Sequence, residues 1–324
     1  AWAWFVPHVF FEAKFITLFS LLFGVSVFLV GGERSDKERG KVLRRRLGWM
    51  LIFGLIHGMA IWYGDILLVY AVAGLIMMLV RSWKPGTLMI VGVIIYALLH
   101  GLGLLGGAVI SLAPVETLEE IRNQMWSPPA QDIDATIAGF GGSFMDSLRT
   151  NFAAWTELAP YDLFNAVPRA LGVMMIGLAL FKWGFLSGNA PVWVYLLAAA
   201  IGAAALAAVA YQARLNYAAA FEFLHMQSRG LLVNPTLSIL ITLLYASLLI
   251  LCVKTGALSF LTNALAPVGQ MAFTNYIAQS VIMTAIFYGG RGLGLYGDVS
   301  RDMLLAIVAG VWVLQGAGRD HADD

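Results

Sequence analysis

His57, Asp65, Lys14, Arg169, Asn275, Tyr276 and Gln279 are the side chains whose type and position could do chemistry, because each lies in or beside a long apolar run. An ionisable or strongly polar group in such a run is costly unless it is paired or wet. Lys14 and His57 stand about five residues inside the ends of their runs and Arg169 about six, roughly 8–9 Å below one boundary at ~1.5 Å per residue. Asp65 follows Gly64 in the turn above His57. Tyr276 and Gln279 approach the same level on another run, with Asn275 one turn deeper on the Gln279 face. Polar groups brought to one depth by several helices point to a hydrated pocket open to the outer side. They mark a place for chemistry without naming a reaction.

Each residue also has a plainer reading. Asp65 opens a helix and is a natural N-cap. Lys14 can snorkel to the headgroups, and a lone neutral His57 can be satisfied within a core. Arg169, next to Pro168, suits an interfacial anchor. Asn275 and Gln279 suit helix-to-helix glue. His100, beside glycines in mid-run, reads as packing.

The elements that must hold these groups follow from composition. Of 324 residues, 60% are apolar and 12% are charged, where soluble proteins carry about 25%. Such a chain cannot clothe a water-soluble fold of this size. A net charge of +1 leaves no basic face for nucleic acid. One cysteine, Cys252, excludes a disulfide framework and a cysteine metal cluster, and no metal site is expected.

A spanning helix needs roughly 20 mostly apolar residues. Runs at about 9–31, 43–62, 65–81, 87–112, 163–183, 191–213, 233–254, 268–289 and 302–315 predict an all-α, polytopic transmembrane bundle of about nine helices. It forms a single domain over 1–315, followed by an atypical tail at 316–324. Arg34, Lys37, Arg39, Lys41, Arg44, Arg45, Arg46, Arg81, Lys84, Lys182 and Lys254 fall in alternate loops, which makes those loops cytoplasmic. The long segment 113–162 is then an extracytoplasmic loop, within which Glu116 to Trp126 has helical spacing. Both ends look incomplete: no Met or charged leader precedes Ala1-Trp2, and the tail cuts an apolar run short. Gly101-Gly103-Gly106 and Gly292-Gly294-Gly297 spell a dinucleotide fingerprint but lack the strand it requires. The first reads instead as a small-residue packing surface.

Three strings resemble the YeiB-like family of uncharacterised bacterial inner-membrane proteins. They are Lys14 to Gly24 (KFITLFSLLFG), then Arg45-Arg46-Leu47 with Gly54, His57, Gly64-Asp65-Ile66-Leu67 and Tyr70, then Val268 to Ser280 (VGQMAFTNYIAQS). The family usually opens with one more helix, carries Arg where Gln270 stands, and closes on an aromatic, basic ending that is absent here. A restored first helix would make ten, with both termini inside. The family's organisation is similar to that of membrane-embedded acyltransferases, which pass an acyl group, often acetyl from cytosolic acyl-coenzyme A, to sugars outside. That resemblance implies His57 as general base or acyl carrier, oriented by Asp65, with Lys14 or Arg169 stabilising an oxyanion or binding an anionic donor. Asn275, Tyr276 and Gln279 would complete a substrate site. Its partners would be the lipid bilayer and an envelope glycan or small-molecule substrate.

Two other classes remain at this point. A transporter would use the same polar layer but should show repeated halves, and an assembly factor would need only the packing. The basic loops generate one test of orientation. Cysteines placed at Lys37 and Lys182 are expected to resist an impermeant thiol reagent in intact cells, and one at Gln131 to react; the reverse pattern would invert the topology.

Overall fold

The computed structural model describes residues 2–257, 259, 269 and 271–317, and it is all-helical, with no strand among them. Val268 and Gln270 of the third string, and residues 318–324 of the tail, lie outside the described residues. The helices are α1 (Trp2–Val6), α2 (Lys14–Gly31), α3 (Lys37–Ile56), α4 (Leu67–Val80), α5 (Pro85–Ile110), α6 (Val115–Met125) and α7 (Ala130–Gly141). They continue with α8 (Phe144–Tyr161), α9 (Val167–Lys182), α10 (Val192–Ala218), α11 (Phe223–His225), α12 (Val233–Thr255), α13 (Ala272–Phe287) and α14 (Arg301–Ala317). Wide π-helical turns occupy Pro7–Phe11, His57–Ile61, Asp162–Ala166 and Met226–Gly230.

Five helical runs are long and apolar enough to cross a bilayer: Trp2–Gly31, Pro85–Ile110, Phe144–Lys182, Val192–Ala218 and Phe223–Thr255. The protein is a membrane protein. Helices α4 and α13 are apolar but shorter, α3 carries the Arg44–Arg46 cluster, and α14 ends at Ala317. The segment expected as a long loop, 113–162, is largely helical, holding α6, α7 and α8. Pro160, Pro168 and the polar Tyr161-Asp162 pair resemble a helix start in sequence. The chain instead passes them through a π turn, which absorbs a disturbed ladder without ending the helix.

The core is built around α9, whose residues from Val167 to Ala179 are largely buried. Val27, Leu47, Tyr70, Met77, Leu88, Met174 and Leu178 interlock between α2, α3, α4, α5 and α9. Glycine lets the backbones approach. A Cβ on Gly24 would sit 2.1 Å from the Met174 carbonyl oxygen, and one on Gly177 2.2 Å from that of Leu21. The GxGxxG string of α5 is a different case: Gly101 and Gly106 face open space, Gly103 meets only the tip of Leu232, and the tight contact belongs to Gly107, against the Gln227 carbonyl. The packing role expected of that string is therefore carried by its neighbour.

The second of the α2–α9 pairs supplies a stability test. Gly177→Val should overpack a backbone-to-backbone contact and cost about 1–3 kcal/mol or more. Gly101→Ala should be neutral or slightly stabilising, since Ala is the better helix former. Thermal unfolding of both variants in detergent against the parent chain measures the difference, and equal losses would refute the close approach.

Candidate functional site

His57 caps the C-terminal end of α3 and is the first residue of the π turn, and it is 1% exposed. Its Nδ1 lies 2.8 Å from Oδ1 of Asp65, which is 5% exposed. The approach is close but bent away from a straight hydrogen bond, and neither ring nitrogen has another partner among the described residues. The second carboxylate oxygen of Asp65 accepts the Leu68 N–H at 2.7 Å. The expected N-cap and the expected imidazole contact are thus made by one side chain.

The π turn itself is held from outside. Asn151 of α8, fully buried, donates from Nδ2 to the Gly58 and Met59 carbonyls at 2.9 and 3.1 Å, and its Oδ1 accepts the Tyr63 N–H at 2.9 Å. Arg291 donates from Nη1 to the Ile61 carbonyl at 3.0 Å and lies over the Tyr288 ring. A Cβ on Gly58 would strike Trp155 Nε1 at 2.5 Å, so glycine is required there. Tyr276 arrives from α13 with its ring 5.0 Å from the imidazole; its hydroxyl accepts the Ile66 N–H at 3.2 Å and also reaches the Asp65 carboxylate.

One cavity is lined by each member of this pair, and a third lies beyond Tyr276. A polar chamber of about 160 Å³ is lined by Thr17, Ser20, Asp65, Asp162, Asn165 and Arg169, among others. On the α13 side a groove of about 470 Å³ runs between Phe53, Ile56, His57 and Ile61 and the facing Phe273, Thr274, Ile277, Ala278, Val281 and Ile282. On the other face of α13, Trp62, Tyr63, Tyr276, Gln279, Tyr288 and Tyr296 help to line an aromatic cavity of about 580 Å³.

The seven residues singled out by sequence therefore divide. His57, Asp65 and Tyr276 come together; Arg169 shares the polar chamber with Asp65, and Gln279 lines the aromatic cavity. Asn275 is half-buried on the first turn of α13 and lines none of the three. Lys14 is elsewhere. It is fully buried, donates from Nζ to the His8 carbonyl at 2.8 Å and to Asn234 Oδ1, and lines none of these cavities. Among the described residues no group of three His, Cys, Asp or Glu side chains is placed to hold a metal ion. His100 packs on the Tyr96 ring, with Nδ1 2.7 Å from the Tyr96 carbonyl.

Residues 180–317 match the profile of a family described as a protein of unknown function, DUF418. Over 97% of its length the chain is 32% identical to the uncharacterized protein YeiB of Escherichia coli (strain K12), spanning 78% of that protein. The chain belongs to the YeiB-like family. It is also 30% identical to the uncharacterized protein YxaH of Bacillus subtilis (strain 168), over 94% of the chain and 74% of that protein. No solved structure matches it.

Sequence reasoning missed four parts of this site: Asn151, Trp155, Asp162 and Arg291. Asn151, Trp155 and Asp162 fall in the segment 113–162 expected outside, Arg291 falls in the polar stretch between α13 and α14, and only the fold carries them to the π turn or the chamber. Asn151 offers the sharpest check. Asn151→Leu removes three buried hydrogen bonds and strands two carbonyls and an N–H, each costing about 1–3 kcal/mol when unsatisfied. A fall in detergent Tm well beyond that of Asn165→Leu, at the chamber wall, is the expected result.

Proposed function

We propose that this chain is a membrane-embedded acyltransferase of the bacterial inner membrane, passing an acyl group to an extracytoplasmic hydroxyl such as that of an envelope glycan. In this reading α3, α4, α13 and α14 complete nine crossings, the basic loops are cytoplasmic, and the segment 113–162 is outside. The observation that carries the proposal is the His57 imidazole. One nitrogen faces a buried carboxylate, the other has no partner among the described residues, and the ring lines an apolar groove while its Asp65 partner lines a polar chamber.

That arrangement suits a general base. Asp65 fixes the ring orientation and favours the imidazolium that forms when Nε2 takes the proton of an acceptor hydroxyl. The freed oxygen bonds to the acyl carbonyl carbon of an activated donor, for which acyl-coenzyme A is one candidate. The bond to the donor's leaving atom then breaks, and the imidazolium returns its proton to that atom. Arg169, half-buried with no carboxylate within 4 Å among the described residues, supplies positive charge to the chamber where oxyanion character develops. The Lys14 ammonium, occupied by His8 and Asn234, serves the fold around the site.

The test separates chemistry from packing. His57→Gln keeps bulk and some hydrogen bonding but has no basic nitrogen, so membrane accumulation should persist while acyl transfer from labelled donor falls about 10²–10⁴-fold. Asp65→Asn should keep the cap on Leu68, since Asn caps nearly as well, and yet lower transfer. Full transfer by both variants would eliminate the base assignment.

A further inference from the structure

The two sides of the His57–Asp65 pair differ in kind. On the α9 side the chamber offers two carboxylates, an amide, hydroxyls and a guanidinium. On the α13 side the groove offers aliphatic and phenyl groups, with Thr274 as the one polar side chain besides His57 and no lysine or arginine among the described residues. A substrate that touches both must be polar at one end and aliphatic at the other, with its reactive carbonyl at the junction.

Resting on the acyl-transfer reading, we infer that the acyl donor is a membrane glycerophospholipid whose fatty chain lies in the groove between α3 and α13. Four features point there. The groove is open on the side where Phe53, Ile56, Phe273 and Val281 are exposed, so a chain can enter sideways from the bilayer. Its volume of about 470 Å³ lies in the range of sites that enclose a whole drug-sized ligand (~300–1,000 Å³), far more than a two-carbon acyl group fills. Among the described residues its wall holds no cation to pair with the phosphates of a coenzyme A. Finally, His57 lies about five residues below Trp62-Tyr63, roughly 8 Å at ~1.5 Å per residue. Aromatic pairs of this kind settle at the headgroup level, which brings the imidazole to the depth where phospholipid acyl esters lie.

The step balances without any cofactor. His57 Nε2 takes the acceptor's hydroxyl proton, and the acceptor oxygen forms a bond to the ester carbonyl carbon. The bond from that carbon to the glycerol oxygen breaks. The glycerol oxygen receives the proton back from the imidazolium and leaves as a lysophospholipid. One ester is exchanged for another.

The experiment uses the full chain in vesicles of phosphatidylethanolamine and phosphatidylglycerol, with an envelope glycan extract as acceptor. Label is carried in the phospholipid acyl chain in one arm and in acetyl- or palmitoyl-coenzyme A in the others. The expected result is label in the glycan from the phospholipid arm, with lysophospholipid appearing one for one. Ala278→Trp, which fills the groove without touching the pair, should lower that transfer by about tenfold or more. Transfer from a coenzyme A thioester but not from phospholipid overturns this inference and leaves the acyl-transfer reading standing; no transfer from any donor overturns both. Should Ala278→Trp fail to accumulate, a phosphatidylcholine with a photoreactive acyl chain tests the parent protein directly. Capture favouring Ile277, Ala278 and Val281 over the exposed α5 residues Ile90, Ile94 and Leu98 supports the groove, and even labelling overturns it.

Discussion

Oδ1 of Asp65 faces Nδ1 of His57 at 2.8 Å while Oδ2 takes the Leu68 N–H at 2.7 Å, so one carboxylate both starts α4 and meets the imidazole at the end of α3. Much of the surrounding structure follows from keeping that carboxylate buried. A charge or strong dipole without water must be matched by donors in place. The α3–α4 hairpin is accordingly tight: a Cβ on Gly54 would lie 2.4 Å from the Leu68 nitrogen. Tyr276 brings α13 to the same point through its hydroxyl. A helix that touches few others is thereby tied to the centre of the bundle.

Three of the four π turns obey a common rule. A wide turn shifts the hydrogen-bond ladder and leaves carbonyls that buried backbone cannot abandon. In these three a buried asparagine supplies the missing donor: Asn234 to the His8 carbonyl, Asn151 to those of Gly58 and Met59, and Asn216 to that of Gly230. The fourth, Asp162–Ala166, opens onto the polar chamber through Asp162 and Asn165. The turns fall at the start of α2, the end of α3, and before α9 and α12, which is one end of the bundle in the proposed orientation. The polar layer is therefore a property of irregular backbone as much as of ionisable side chains.

This explains what could be read from the chain and what could not. Apolar run length and the Trp62–Asp65 interruption gave the helical class and the α3–α4 hairpin, because both are local. The His57–Asp65 pairing was accessible too, since a short turn leaves few places for Asp65 to go. Asn151 and Asn234 were invisible, because an asparagine in a helical segment carries no sign of which distant carbonyl it will meet. Helix α8 was hidden for another reason: Arg149, Glu157 and Pro160 break the apolar signal of a helix whose buried face is held by Ser147 and Asn151. Equal depth along separate helices also proved a weaker guide than direction around them. Lys14 and His57 share a level in sequence, yet Lys14 turns to Asn234 while His57 turns to Asp65.

The separation of Lys14 from the pair is itself informative. An ammonium beside the imidazole would disfavour a positive charge on that ring, the state that the proposed general-base role requires. Its donors are instead consumed by a peptide carbonyl and an amide, and the neighbouring Ala13 holds a left-handed φ of 66° that brings the Pro7–Phe11 turn back over them. The cost of that backbone is met by contacts that anchor the N-terminal segment to α12. Arg169 reaches the chamber on the Asp65 side and does not line the groove. Positive charge thus lies where an oxyanion would gather and away from the apolar path by which a chain would enter. The polarity of the two sides is sorted before any substrate arrives, as preorganised electrostatic stabilisation requires.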